Sequence, residues 1–182
     1  MNYRIFVEKK DGFRVEAQSL LKELNERLQL QLTGLRKLNV YDLFGFTAEL
    51  LEQSRYRVFG ETVTDDVTNS FDAQGNKYLA IECLPGQFDQ RASSAVDCVK
   101  LINPDADIRI KSGQLYVFEG NVTADDMKRI EKYLVNAVES RVKNLDILND
   151  AEQAPVEPVK ELAGFCDIKP EERDAYCKQM GL

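Results

Sequence analysis

The chain contains no histidine among its 182 residues. Without imidazole, Ser-His and Cys-His nucleophile pairs, imidazole metal sites and the commonest general base are all excluded. Glycine-rich phosphate loops are missing as well: neither GxGxxG nor GxxxxGK followed by Ser or Thr occurs. An enzyme acting through this chain alone would have to rely on Asp, Glu, Lys, Tyr or Cys. The four cysteines, Cys83, Cys98, Cys166 and Cys177, form no CxxC pair. Zinc and redox spacing are therefore absent, and reduced thiols rather than disulfides are expected. No apolar run approaches the ~20 residues of a membrane helix, and Met1 is followed at once by a strand-like run rather than a charged-then-apolar leader. The expected location is the cytoplasm. Dense Lys/Arg runs are lacking too. With a net charge of −7, the chain has no electrostatic footprint for nucleic acid; Arg55-Tyr56-Arg57 is the nearest approach.

What is present is ordinary globular composition, 43% hydrophobic and 30% charged, which at this length supports one good core or two small ones. It is also written twice, weakly. Glu8 and Glu82, and Gly12 and Gly86, lie 74 apart; after a one-residue insertion the offset becomes 75. That offset pairs Phe13 with Phe88, Ala17 with Ala92, Ser19 with Ser94, Tyr41 with Tyr116, Gly45 with Gly120, Val63 with Val138 and Val67 with Val142. A nearly constant offset across a whole unit predicts two copies.

Periodicity agrees. Each copy opens with an apolar strand, residues 3–8 and 77–84. A helix follows in each, with Ala17, Leu20, Leu21, Leu24 and Leu28 on one face of the first, and Ala92, Ala95, Val96, Val99 and Ile102 on one face of the second. Ile108 and Ile110, the dipeptide Ser112-Gly113 and Leu115 to Phe118 predict a hairpin, with a shorter version from Leu35 to Phe44. Thr47 and Thr123 predict helix N-caps, and Asp126 completes a capping-box pattern. Met127, Ile130, Tyr133, Leu134 and Val138 share helical spacing and read as core. Short extended runs near Val63-Thr64-Asp65 and Val138-Glu139-Ser140 close the copies. The expected fold is α+β: tandem ferredoxin-like β-α-β-β-α-β units packed sheet to sheet with pseudo-two-fold symmetry.

The expected boundaries follow from composition. Residues 1–145 form the duplicated domain, as copies 1–74 and 75–145. Residues 146–169, with Pro155, Pro158 and several carboxylates, read as an acidic linker. Pro170 predicts the first turn of a last helix, and residues 170–182 read as the start of a further domain cut short.

The opening Arg4-Ile5-Phe6-Val7-Glu8-Lys9-Lys10, the loop Leu84-Pro85-Gly86-Gln87-Phe88-Asp89-Gln90-Arg91, the strand Gln114-Leu115-Tyr116 and the closing Asn136-Ala137-Val138-Glu139-Ser140-Arg141 carry a family resemblance. Together they resemble the N-terminal region of the large, single-chain phosphoribosylformylglycinamidine synthases, along the whole chain. Ala137 departs from the proline of that family's closing motif. The resemblance implies a part of an ATP- and glutamine-dependent ligase that converts formylglycinamide ribonucleotide to the amidine in purine synthesis. It further implies a PurS-like, duplicated, non-catalytic domain whose partners are the synthetase and glutaminase domains of the same polypeptide. ATP and Mg2+ are expected for that parent enzyme, and no cofactor or metal for this part. None of the cysteines sits in the glycine-rich elbow of the family's glutaminase nucleophile.

The candidate site is the strand-to-helix turn holding Gly86, Gln87, Asp89, Gln90, Arg91, Ser93 and Ser94. A helix starting near Asp89 would aim free N–H groups outward, and Arg91, Ser93 and Ser94 could add donors for a phosphate or carboxylate. The plainer reading is that Asp89 caps the helix, Phe88 staples into the core and Arg91 is a solvated surface group. The first copy reads Lys10-Asp11-Gly12-Phe13-Arg14-Val15 at the same place. Glycine and phenylalanine recur there and read as structural; Gln87, Asp89, Gln90 and Arg91 have no counterpart. This specialisation favours docking to the synthetase domain near its substrate cleft. The alternative is a free-standing module that binds a small anionic effector at the Gln87–Ser94 turn. Asp125-Asp126 reads as helix capping and Asp65-Asp66 lacks further ligands, so no metal site is expected.

Overall fold

In β1 (Tyr3–Lys9), Ile5 and Val7 face one way and Phe6 the other, as alternation along a strand requires. The rest of a computed structural model follows in order: α1 (Val15–Leu28), β2 (Gly34–Phe44), α2 (Ala48–Ser54) continued by a π-helical turn (Arg55–Phe59), and β3 (Asp65–Thr68). Then come β4 (Lys77–Cys83), α3 (Gln90–Ile102), β5 (Arg109–Glu119), α4 (Ala124–Leu134) and β6 (Ser140–Val142). The structure describes residues 2–149, 169 and 172–180. Backbone contacts divide the chain into units 1–152 and 153–182. In the second, α5 spans Arg173–Met180. Pro170 and residues 150–168, most of the expected linker, lie outside the described residues, as does Cys166.

Local chemistry sets the helix starts. The Thr47 hydroxyl accepts from the Leu50 N–H at 3.1 Å. Thr123 and Asp126 form the full reciprocal box, and Asp89 caps α3. Each cap satisfies a backbone donor that the first helical turn leaves without a partner. α4 stops at Leu134, so Val138 is not part of its apolar face; it lies in the following turn, exposed. Val63 is likewise in a turn, before β3.

The six strands form one open antiparallel sheet, in the order β3-β1-β2-β5-β4-β6. The fold is α+β and compatible with ferredoxin-like architecture. Sheet-on-sheet packing of the halves does not occur. Instead β2 and β5 pair edge to edge along all 11 residues of each, from Gly34 opposite Glu119 to Phe44 opposite Arg109. The helices cover one face. On the other, Phe6, Leu38, Val40, Ala80, Leu115 and Val117 are covered by Phe71 and Ala73 of the β3–β4 connection and by Leu145. A local cover buries this strip, so no second sheet is needed to remove it from water.

Neither expected hairpin forms, because β2 and β5 are each a single strand. Ser112-Gly113 is extended and serves close packing. A Cβ on Gly113 would lie 2.8 Å from the Ile81 carbonyl oxygen and 3.3 Å from Lys143 Cδ. The Ser112 N–H, just beyond the end of the β4 pairing, donates to Asp89 Oδ2 at 2.8 Å. Glycine followed from crowding here, not from a turn.

Beneath the helices lie two clusters, each drawing on both halves of the chain. α1 contributes Ala17 and Leu24 to a cluster with Leu35 of β2, Leu79 of β4, Tyr116 and Phe118 of β5 and Ile130 of α4. α3 contributes Ala92, Ala95 and Val99 to the other, with Ile5, Val7, Tyr41, Leu43, Leu50, Leu51 and Phe59 of the first half. Leu24, Val99, Phe118 and Ile130 are completely buried. Each such side chain contributes roughly 1.5–3 kcal/mol of transfer free energy.

Candidate functional site

The turn between β4 and α3 is held by its own backbone and by its neighbours. Gly86 takes φ +87°, with open space where a Cβ would lie. The Gln87 N–H donates to the Leu84 carbonyl at 3.0 Å, and Gln87 Nε2 donates to the Val138 carbonyl at 3.3 Å. Asp89 is fully engaged. Its Oδ1 accepts from the Ala92 N–H at 2.9 Å and from the Ser112 hydroxyl at 2.8 Å, while Oδ2 takes the Ser112 N–H. The capping role expected of Asp89 is thus present, extended by a tether to β5. The staple expected of Phe88 is absent: its side chain is 76% exposed.

The seven candidate residues do not converge on one place. Gln87 and Asp89 line a shallow depression of about 180 Å³ with Cys83, Lys111 and Arg141. Gln90 and Ser94 are exposed and Ser93 is half-buried. Arg91 lines a different and larger groove, of about 450 Å³. That groove lies on the helix-covered face, between the starts of α1 and α3. Val7, Ala17, Tyr41 and Phe59 form its apolar lining, and Lys9, Arg14, Lys37 and Arg91 its cations, with Glu16 and Asp65.

The charges in the groove are unequally committed. Lys9 Nζ lies 2.8 Å from Asp65 Oδ1. Burial works to raise the Asp65 carboxyl, but Lys9 and the Glu61 N–H together hold it below the ordinary range. Arg14 pairs with Glu8 at 3.3 Å and Asp11 at 2.9 Å. Lys37 Nζ meets Glu16 Oε2 at 2.8 Å. Hydrogen bonding and charge from Lys37 lower the Glu16 carboxyl, helped by Arg91 and Lys9. Arg91 has no hydrogen bond or ion pair among the described residues. Motif reasoning missed Lys37 and Asn39. A signal existed: the positions of β2 facing the helices read Leu35, Lys37, Asn39, Tyr41, Leu43, two polar residues in an apolar row.

The opposite face carries a buried ionic network. Arg4 Nε lies 2.5 Å from Asp42, and Lys143 Nζ lies 2.7 Å from Asp42 and 2.6 Å from Glu82. Arg141 adds 2.8 Å to Glu82. Arg4 also donates to the carbonyls of Leu145 and Ile147. These bonds fasten the chain leaving β6 across both halves of the sheet.

Cys83 is exposed as a residue, yet partial burial and the carboxylates of Asp89, Glu82 and Glu139 push its thiol upward, away from a reactive thiolate. No group of three potential metal ligands occurs among the described residues. No helix among them is long and apolar enough to cross a membrane. Tyr116 is pushed up to about 12 by burial and then by the charge of Glu16. It is neutral when folded but ionises near pH 10 when unfolded. Stability is therefore expected to fall from about pH 10 upward, with the Tyr116 tyrosinate step delayed by burial and that of Tyr133, whose hydroxyl donates to Glu23, raised as well. Seven tyrosines titrating together would contradict this.

No family model matches the chain, and no curated protein matches it in sequence.

Proposed function

We propose that residues 1–145 are a duplicated, PurS-like, non-catalytic assembly domain of a phosphoribosylformylglycinamidine synthase, docking the ligase's synthetase and glutaminase parts. The duplication is supported by register. Exchanging β1, β2, β3 with β4, β5, β6 reverses the strand order onto itself. Asn39 pairs with Gln114, its counterpart at the offset of 75, and Gly12 and Gly86 share φ +87°.

The observation that carries docking is the exposed Phe88 on a turn otherwise tied down by hydrogen bonds, one of which runs from its neighbour Gln87 to the backbone of the equally exposed Val138. A capping turn has no need of an exposed phenylalanine, whereas an interface core does. Gln87 and Gln90 supply polar contacts around it. Asp89 acts indirectly, by holding the turn. The Gln87–Ser94 turn alone is less suited to an anion, because the Asp89 carboxylate occupies its helix start.

The test mixes this chain with a single-chain enzyme of that family lacking its own N-terminal region. Binding and restored glutamine-dependent amidine formation are expected, in the presence of the ATP and Mg2+ that the partner uses. Phe88→Asp should weaken association by roughly tenfold or more, on the scale of a buried interface aromatic, with an unchanged melting temperature. A folded chain that fails to associate with the remainder would refute the proposal.

A further inference from the structure

We propose that the groove between the starts of α1 and α3 binds a phosphomonoester carrying a planar ring, of nucleoside-monophosphate size. This site is separate from the Phe88 turn and does not depend on the assembly role.

Three properties point to that class. The first is charge. In a chain of net charge −7, four cations line the groove with two carboxylates. Although Glu8 and Asp11 offset Arg14 from beside it, Lys37 and Arg91 face only Glu16 among the described residues. The field is felt locally, since Glu16 is lowered by Lys37, Arg91 and Lys9 acting together.

The second is availability. Lys9 and Arg14 are occupied by Asp65, Glu8 and Asp11. Arg91 is uncommitted among the described residues. Among the described residues Lys37 is held only by Glu16, whose side chain is 82% exposed, and water competes strongly with an ion pair of that kind. A phosphate can displace Glu16 into water and take Lys37 and Arg91 together. Two available cations match a dianion, and the guanidinium presents paired N–H groups to its oxygens. Asp65 does not oppose the ligand, because Lys9 already neutralises it.

The third is shape. About 450 Å³ lies within the range of small-molecule sites. The groove's inner lining includes Tyr41 and Phe59, whose ring centroids are 5.0 Å apart and which are otherwise almost fully buried. Half-exposed Phe13 flanks them. Such walls favour a planar ring over a sugar phosphate alone.

The experiment titrates the 182-residue chain with adenosine 5′-monophosphate by calorimetry, with adenosine and inorganic phosphate as separate arms. The monophosphate is expected to bind at least about tenfold tighter than either fragment. Loss of a charge-assisted hydrogen bond should weaken it roughly tenfold or more in both Arg91→Ala and Lys37→Ala. Glu16→Gln, which releases Lys37, should tighten binding. Lys100→Ala, an exposed residue in the last turn of α3, should leave it unchanged. Melting temperatures serve as the folding control, since Arg91 and Lys37 lack buried partners. No binding at millimolar monophosphate, equal affinity for inorganic phosphate, or unaltered affinity in the Arg91 and Lys37 variants would each overturn the proposal.

Discussion

Residues 1–74, produced without the rest of the chain, are expected to yield no folded monomer. Cut there, the first half loses Ala92, Ala95, Val99, Ile108 and Ile110 from one cluster. Its helix α1 keeps Leu35 of β2 but loses Leu79, Tyr116, Phe118 and Ile130 from the cluster it belongs to. The 11-residue edge of β2 is left open as well, and an open apolar edge invites association or aggregation. Circular dichroism and sedimentation across a dilution series would read the result. The expected outcome is a loss of helix and strand signal at low concentration, recovered when residues 75–182 are added. A concentration-independent, cooperative melt of the isolated half would show that the cores are separable after all.

Lys143→Met should destabilise the protein by roughly 2–3 kcal/mol, a fall of about 5–10 °C in melting temperature for a domain of this size. The ammonium is 5% exposed and sits between Asp42 and Glu82. Removing it leaves two carboxylates to share the remaining cations. Arg4 and Arg141 stay in place, which keeps the loss at or below the low end for a broken buried pair. Adding Glu82→Gln to Lys143→Met should recover part of it, since one uncompensated charge then disappears. High salt should change the loss little, because buried charges are poorly screened. A single variant within 0.5 kcal/mol of the parent, by urea titration, would mean the network is neutral.

Elements governed by short-range rules were legible in the sequence. Helical spacing located α1 and α3, and the N-cap pattern at Thr47 and Thr123 located α2 and α4. The offset of 75 maps β2 residue for residue onto β5, without revealing that the two strands pair antiparallel, where Asn39 and Gln114 alone are both counterparts and opposite one another. Burial of an apolar strand face is satisfied equally by a second sheet or by a cover such as Phe71, and alternation reports only that burial is needed. Ser112-Gly113 misled for a related reason. Glycine marks tight turns and close approaches alike, and only the positions of the Ile81 backbone and Lys143 distinguish them. Phe88 was read as a staple because an apolar residue at a helix start usually is one. The groove escaped notice because its lining comes from six separate segments of chain.

The interlocked clusters also dictate the order of events during synthesis. β2 emerges early but stays unpaired along its long edge until Glu119 has left the ribosome. α1 then waits further, for Ile130 to close its cluster. Such distant partners raise the contact order and slow the search for them. The nascent first half therefore carries an open strand edge and uncovered apolar surface until the second half is made, the features that make a folding intermediate prone to aggregation.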